Sequence, residues 1–347
     1  MKEKNQTLKS PNFNAKAVLS KNAIVIAFVA LFVAMAIARP GSFLRVDNIL
    51  NIFRQTAVTG VLTLGMTFVL LTGGIDLSCG SIVALSGVVC AFFAAPGGPA
   101  MAKTGFTHGE GVSEFLTMQA TLPLIVPILA ALAVGATVGL VNGTFIARGG
   151  VPPFIVTMGM MTIVKGVALI VSDGGQLPYL TDEFKAIGKG DFFGVPYLAI
   201  IFIVLVLVVG FVLQRTCFGR HVYAIGGNEV SAHVSGINVK VTKTLVYVIA
   251  GMCSGIAGML LASRTAVGSP QSGTGYEMDA IASCVIGGIS LSGGVGSLFG
   301  SVMGVLFIAV MGNGMDMLGL NPYYQQIAKG VIIILAVLYD VNSRKSK

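Results

Sequence analysis

Long apolar runs without a charged residue are the feature that most limits the folds open to this chain. Such runs cover residues 22–38, 55–75, 77–102, 115–147, 280–315 and 330–339. Only helices or closed barrels satisfy backbone polar groups in lipid. Barrel strands alternate over about ten residues, whereas these runs are continuously apolar. Because roughly 20 apolar residues make one spanning helix, the runs predict an all-α integral membrane protein.

The composition excludes a soluble domain. The chain is 54% hydrophobic and only 10% charged, whereas soluble domains carry about 25% charged residues. Its net charge of +8 comes from Lys and Arg at span ends and in loops rather than on one face. We therefore expect a lipid bilayer as the environment and no nucleic-acid partner. No convincing cleavage site follows the first apolar run, which predicts a retained first helix.

Ten spans fit the pattern, within one membrane domain at 22–341. They are predicted at 22–38, 48–71, 78–95, 122–147, 154–171, 196–214, 244–263, 277–291, 294–312 and 323–341. Placing both termini in the cytoplasm, as tails at 1–21 and 342–347, leaves more Lys and Arg inside than outside, as the positive-inside rule requires. The eighth span is short and polar for a bilayer helix.

Two segments, 73–78 and 287–292, share the pattern G-G-I-x-L-S inside apolar regions. Paired glycines weaken a helix, and Ser or Asp can cap the one that follows. We therefore predict two helix breaks in corresponding positions, a feature typical of transporter interiors. Asp76 is expected to cap the helix that starts at Ser78, the alternative being a direct role in transport.

Small residues inside the spans predict where helices pack closely, and charged residues there predict how their charges are accommodated. Glycines four residues apart predict close helix packing, at Gly139/Gly143, Gly251/Gly255 and Gly296/Gly300/Gly304. Glu277 and Asp279 open the eighth span, where carboxylates suit the helix dipole. Lys165 and Lys329 are long enough to extend toward the membrane interface.

Residues 215–243 form a basic segment, interrupted by several glycines, between two apolar runs. We predict a cytoplasmic loop with a short helix from Glu229 to Val234, started by Asn228 and stopped at Gly236. A stretch of this length and charge indicates a surface on which another protein acts, the alternative being an ordinary solvated loop.

Catalytic motifs are missing from the sequence. It has no G-x-x-x-x-G-K-[ST] phosphate loop and no G-x-S-x-G elbow. Its three histidines lack metal-ligand spacing. We therefore expect neither an enzyme nor a metal site, and any energy for transport must come from a partner or from an ion gradient.

Several strings together carry a family resemblance. They are G-M-T-F-V-L-L-T-G-G-I-D-L-S at 65–78, G-G-N-E at 226–229, S-G-I-N-V at 235–239, G-T-G-Y-E-M-D-A-I-A at 273–282 and Y-Y-Q-Q-I-A-K-G at 323–330. With these the chain resembles, over about residues 48–341, the permease subunits of bacterial ABC importers for monosaccharides, those for ribose above all.

The resemblance implies the type II-like importer fold with ten helices, in the bacterial cytoplasmic (inner) membrane. It implies three partners: an ATPase subunit that carries ATP and Mg²⁺, an extracytoplasmic sugar-binding protein and a second permease subunit, identical or paralogous. The chain itself would bind no cofactor. The 215–243 loop would be the segment that couples to the ATPase, with Arg220, Gly226, Gly227, Asn228, Glu229, Ala232 and Gly236.

Polar and aromatic groups near the breaks are the candidates for the translocation path. They are Asp76, Asn142, Phe154, Thr157, Tyr276, Asp279, Asn313 and Gln325. Asn142 and Asn313 serve equally well as interhelical hydrogen bonders. The loops at 96–121 and 172–195 are expected outside, where a binding protein would dock, and they leave the sugar open. The competing hypothesis is a stand-alone, ion-coupled secondary transporter of a small polar solute.

Overall fold

A computed structural model describes residues 23–96 and 122–345. The predicted tail at 1–21, nearly all of the loop predicted at 96–121, and the last two residues of the predicted tail at 342–347 lie outside the described residues. The described chain folds into thirteen helices: α1 (Ala23–Ala38), α2 (Val46–Leu71), α3 (Cys79–Ala94), α4 (Ile125–Ala147), α5 (Pro153–Val171), α6 (Asp182–Lys189), α7 (Tyr197–Arg215), α8 (Cys217–Gly227), α9 (Glu229–Val234), α10 (Val239–Thr265), α11 (Tyr276–Ile286), α12 (Leu298–Met317) and α13 (Pro322–Lys345).

The helical fold class is confirmed. Among the described residues, six helices are long and apolar enough to cross a membrane, namely α2, α4, α5, α7, α10 and α12, and α1 and α3 are shorter apolar helices. Each predicted span contains a helix. The number of membrane crossings stays a prediction, because α11 is far shorter than a bilayer is thick.

Helices α2 and α10 form the centre of the bundle. Most residues of both are buried within the chain itself, whereas only Thr157, Val164 and Ala168 of α5 are buried. An apolar helix with an exposed surface needs lipid or another protein around it. The chain therefore has a well-packed middle and an open side along α5.

The closest helix pair, α4 with α10, is packed through glycines. A Cβ atom on Gly135 or Gly139 would overlap backbone atoms of α10, and one on Gly251 or Gly255 would overlap backbone atoms of α4. Close backbone approach of this kind drives helix association in lipid. The packing predicted for Gly139/Gly143 and Gly251/Gly255 is confirmed.

The second break is longer than predicted. Helix α11 ends at Ile286 rather than near 291, because Gly287 and Gly288 interrupt it, the latter at φ +85°. Helix α12 begins at Leu298 rather than at 294. Ser297 is its N-cap residue, and Ser297 Oγ accepts a hydrogen bond from Gly300 N at 3.1 Å. With eleven residues, α11 extends about 16 Å, roughly half of a bilayer core.

Two segments outside the long helices are more structured than the sequence predicts. The 215–243 stretch holds α8 in addition to the predicted helix, and α10 starts at Val239, where Asn238 Oδ1 accepts from Val241 N at 3.1 Å. The loop predicted at 172–195 contains α6 and two short strands, β1 (Asp191–Phe192) and β2 (Val195–Pro196). Phe184 of α6 is fully buried, so this loop packs on the end of α10.

Substitution of Gly139 by Leu should separate α4 from α10. The side chain would overlap the backbone at Tyr247, and overpacking of a rigid site costs roughly 3 kcal/mol or more. Thermal unfolding of the detergent-solubilised protein checks this, with a clearly lower midpoint expected for Gly139→Leu. Gly159→Leu is the matched control, because no atom lies near its Cβ position, and its midpoint should stay close to that of the unsubstituted chain.

Candidate functional site

The first helix break is built around a buried carboxylate. Asp76 is fully buried, and its Oδ1 accepts from Ser78 N at 2.8 Å and from Ser78 Oγ at 2.6 Å. It therefore stabilises the start of α3, which begins at Cys79. The capping predicted for Asp76 is confirmed in part: its carboxylate binds Ser78, the residue just before α3, while the Ser78 side chain accepts no capping hydrogen bond from the N–H groups within the first turn of α3. Its second oxygen has no hydrogen-bond partner among the described residues.

Three other helices reach this break with polar side chains. Asn142 of α4 donates from Nδ2 to Ser78 Oγ at 2.9 Å. Tyr247 of α10 donates from its hydroxyl to the carbonyl oxygen of Ile75 at 3.5 Å. The Thr157 hydroxyl of α5 donates to the Pro153 carbonyl at 2.9 Å and shares this hydrogen bond with the Ile75 carbonyl at 3.4 Å. We call this set, Asp76, Ser78, Asn142, Thr157 and Tyr247, the break cluster.

The break cluster unites three of the predicted path residues, Asp76, Asn142 and Thr157. All three are completely buried, so in this conformation they hold the break in place. Tyr247 was missed by the sequence analysis. A lone Tyr in an apolar helix carries no local signal, because its hydrogen-bond partner lies 172 residues away.

The two breaks that share the G-G-I-x-L-S pattern lie against each other. Gly294 N donates to the carbonyl oxygen of Leu71 at 2.9 Å. A Cβ atom on Gly73 would lie 3.3 Å from the carbonyl oxygen of Ser292. The prediction of two helix breaks is thus confirmed, and the structure adds that the breaks are in direct contact.

The end of α8 packs between these two breaks. A Cβ atom on Gly226 would overlap the carbonyl oxygen of Leu71 and the backbone nitrogen of Gly294, and Gly293 lies against both Gly73 and Gly226. We call Gly73, Gly226, Gly293 and Gly294 the glycine junction. No other residue type fits at Gly226 without moving backbone, so the 215–243 segment is in van der Waals contact with both breaks.

A tyrosine of α8 adds a polar link to the same place. Tyr223 Oη donates to the carbonyl oxygen of Gly296 at 3.1 Å. Partial burial raises the pKa of the Tyr223 hydroxyl, so the group stays protonated over a wider pH range than an exposed tyrosine. Helix α8 is thereby attached to the second break at two points.

The short helix α9 has the predicted bounds and caps. Asn228 Oδ1 accepts from Ser231 N at 2.9 Å, and Gly236 follows the helix at φ +85°. Ala232 is buried with Ile225 and Val239, so α9 packs on α8 and on the start of α10. Lys243 forms an ion pair with Glu229 at 2.6 Å.

Helix α9 also presents an apolar face outward. Val230 and Val234, one helical turn apart, are 74% and 81% exposed. The residues predicted for coupling thus fall into two groups. Gly226 and Ala232 face the protein, whereas Arg220, Gly227, Asn228, Glu229 and Gly236 are exposed.

Charged side chains near α11 are paired inside the protein. Lys329 of α13 forms an ion pair with Asp279 of α11 at 2.7 Å. Lys165 Nζ donates to the carbonyl oxygen of Pro270 at 2.6 Å and to Gln271 Oε1 at 3.1 Å. Both lysines thus have polar partners within the chain, and their extension to the membrane interface stays a prediction. Polar partners within reach satisfy each charge locally, as intramembrane charges require.

The remaining path candidates lie apart from the break cluster. Asn313 and Asn48 exchange two amide hydrogen bonds, at 3.1 and 2.8 Å, which tie the far end of α12 to α2. Gln325 donates to Asp316 at 2.5 Å. Phe154 is 51% exposed on α5. Tyr276, at the start of α11, is partly buried against the main core.

A bundle of apolar helices, two of them broken and joined at their breaks, defines the class of a multi-pass membrane transport protein. The family model described as branched-chain amino acid transport system / permease component matches residues 48–337. The chain belongs to this family, as a permease component.

Curated relatives are similar over nearly their whole length. A ribose import permease of Haemophilus influenzae is 36% identical, with 97% of each chain covered. A galactose/methyl galactoside import permease of the same species is 38% identical over 93% of this chain and 94% of the relative. An L-arabinose ABC transporter permease of Azospirillum brasilense is 36% identical over 95% and 90%. No solved structure matches the chain significantly.

Removal of the lysine from the Asp279–Lys329 pair should destabilise the protein. Lys329→Met leaves a largely buried carboxylate without its partner, at a cost of about 3 kcal/mol. The double variant Asp279→Asn/Lys329→Met should recover most of the loss, because no unpaired charge remains. Thermal unfolding midpoints in detergent check this: the midpoint of the single variant should be lower than that of the double variant. Equal midpoints for the single and double variants would contradict a structural role of the pair.

Proposed function

We propose that this chain is the membrane-spanning permease subunit of an ATP-driven ABC importer that moves a monosaccharide into the cytoplasm. The glycine junction is the observation that carries the proposal. Through it, a segment outside the membrane helices touches both helix breaks, so a force on that segment reaches the interior of the bundle directly.

The exposed face of α9 supports the ATPase as the source of this force. Val230 and Val234 offer an apolar surface on a short, well-capped helix outside the membrane spans, which suits docking in a groove of another protein. The ion pair of Glu229 with Lys243 and the buried Ala232 hold α9 rigidly on α10 and α8. A rigid helix transmits displacement, whereas a solvated loop would absorb it.

The mechanism follows from these contacts. Closure of the ATPase dimer, with ATP and Mg²⁺ bound to the ATPase, would displace α9 and with it α8. Gly226 and Tyr223 would pass the motion to the two breaks, where non-helical backbone lets α3 and α11 change direction. Such coupling needs contacts that differ between the outward-open and inward-open states, and two breaks in mutual contact allow discrete arrangements.

The partners and orientation complete the proposal. An extracytoplasmic binding protein delivers the sugar, and a second permease subunit, identical or paralogous, forms the other half of the path. Both termini lie in the cytoplasm of a bacterial inner membrane, as the distribution of Lys and Arg supports. The relatives' names include ribose, galactose and L-arabinose, which supports a monosaccharide as cargo without selecting one.

The double variant Val230→Glu/Val234→Glu should separate the permease from its ATPase. Both side chains are exposed, so folding should be unaffected, while two buried carboxylates at an apolar interface prevent docking. We expect loss of co-purification with the ATPase and an at least tenfold lower rate of ATP-driven sugar uptake in proteoliposomes. Phe193→Glu, at an exposed position between β1 and β2, is the control and should retain co-purification.

Proteoliposomes also distinguish an ABC permease subunit from a stand-alone secondary transporter. Proteoliposomes that contain only this chain should take up no sugar under a proton or sodium gradient. Gradient-driven uptake without nucleotide, unchanged in the Val230→Glu/Val234→Glu variant, would overturn the proposed function.

A further inference from the structure

A cleft of about 470 Å³ lies between α3, α5 and the start of α11. Its volume falls within the range of roughly 300–1,000 Å³ that is typical of small-molecule sites. The loop that precedes α11 forms one wall, and α5, the helix with the open side, forms the opposite wall. The polar lining residues are Ser81, Thr162, Lys165, Ser272, Thr274 and Glu277.

The two charges in the cleft are held in place. Lys165 Nζ donates to the Pro270 carbonyl oxygen, to Gln271 Oε1 and, at 3.5 Å, to Thr274 Oγ1. Glu277 Oε1 accepts from Gly275 N at 3.2 Å. Because one ammonium and one carboxylate cancel, these lining residues present no net charge to a solute.

This lining suits a neutral polyhydroxylated molecule. A sugar hydroxyl can donate to the Glu277 carboxylate and accept from the Lys165 ammonium. The hydroxyls of Thr162 and Thr274 donate to the carbonyl oxygens of Met158 and Gln271, and their oxygens can accept from a sugar hydroxyl. Apolar surface from Met161 and Leu169 completes the lining and can contact the C–H face of a sugar ring. The Glu277 carboxylate would repel an anion such as a sugar phosphate.

The cleft is also mechanically connected to the first break. Gly80, in the first turn of α3, lines the cleft, and a Cβ atom there would overlap the Glu277 carboxylate and the carbonyl oxygen of Gly273. The start of α3, fixed by Asp76, therefore touches the start of α11. Any change in direction at the break between α2 and α3 must change the shape of the cleft.

We infer that the cleft bounded by Lys165, Glu277 and the hydroxyls of Ser81, Thr162, Ser272 and Thr274 is where a neutral monosaccharide contacts this chain during translocation. The inference rests on the proposed function and adds to it the residues that meet the solute. The sequence analysis placed none of these six among the path candidates.

Filling the cleft tests the inference. No atom lies within 4 Å of the Cβ position of Gly166, which lines the cleft, so Gly166→Phe places a ring in open space. Gly159→Phe is the matched control, on the same helix two turns earlier, with an equally open Cβ position outside the cleft lining. Each variant is assembled with its ATPase in ATP-loaded proteoliposomes with the binding protein outside.

Uptake of radiolabelled D-ribose, D-galactose, L-arabinose and leucine is then measured. We expect Gly166→Phe to lower the initial rate for the transported sugar at least tenfold, with co-purification of the ATPase retained, and Gly159→Phe to stay within twofold of the unsubstituted protein. Thr162→Phe, at an exposed lining position, should reproduce the block and replaces Gly166→Phe if that variant does not assemble.

The outcomes test the cleft as the solute site and the proposed permease function separately. Sugar uptake within twofold of normal in an assembled cleft-filling variant would overturn the cleft as the contact site and leave the proposed function standing. Uptake of leucine instead of sugar would overturn the assignment to a neutral solute, since a zwitterion also matches one ammonium and one carboxylate. No ATP-driven uptake by the unsubstituted complex would overturn the proposed function itself, and the inference with it.

Discussion

Backbone hydrogen bonding in lipid is the constraint on which this structure depends. A helix interrupted inside a membrane leaves carbonyl and amide groups that cost several kcal/mol each unless protein atoms satisfy them. Here each break is satisfied by its surroundings: Leu71 accepts from Gly294, Ile75 accepts from Thr157 and Tyr247, and Gly296 accepts from Tyr223. Neither break can therefore form or move without the other and without α8.

The packing divides the bundle into a rigid part and an adjustable part. Glycine contacts lock α4 to α10 over several turns, and interiors packed this closely shift between discrete arrangements rather than deform. By contrast, α11 is one short helix between glycine-rich segments, held at its start by Glu277 and by the ion pair of Asp279 with Lys329. Under the proposed mechanism, displacement at the glycine junction would be taken up first by α11, before α4 or α10 moves.

The features that the sequence predicts well are those with local causes. Paired glycines followed by Asp76 and Ser78 predict the first break because the Asp76 carboxylate accepts from a backbone N–H only two residues further along the chain. Asn228 and Gly236 predict α9 to the residue for the same reason. The environment of Lys165 and Lys329 is not predictable in this way. Their partners lie 105 and 50 residues away, and only the tertiary fold brings these partners within hydrogen-bond distance.

The proposed cleft would bind its solute weakly, which would suit a permease that receives cargo from a separate binding protein. Lys165 and Glu277 already have hydrogen-bond partners in the chain, so a sugar would largely exchange bonds rather than add them, and exchanged hydrogen bonds contribute only about 1 kcal/mol each. Immobilising the sugar costs several times that amount. A site of this kind would orient a passing solute and release it, and selectivity would rest with the protein that delivers it.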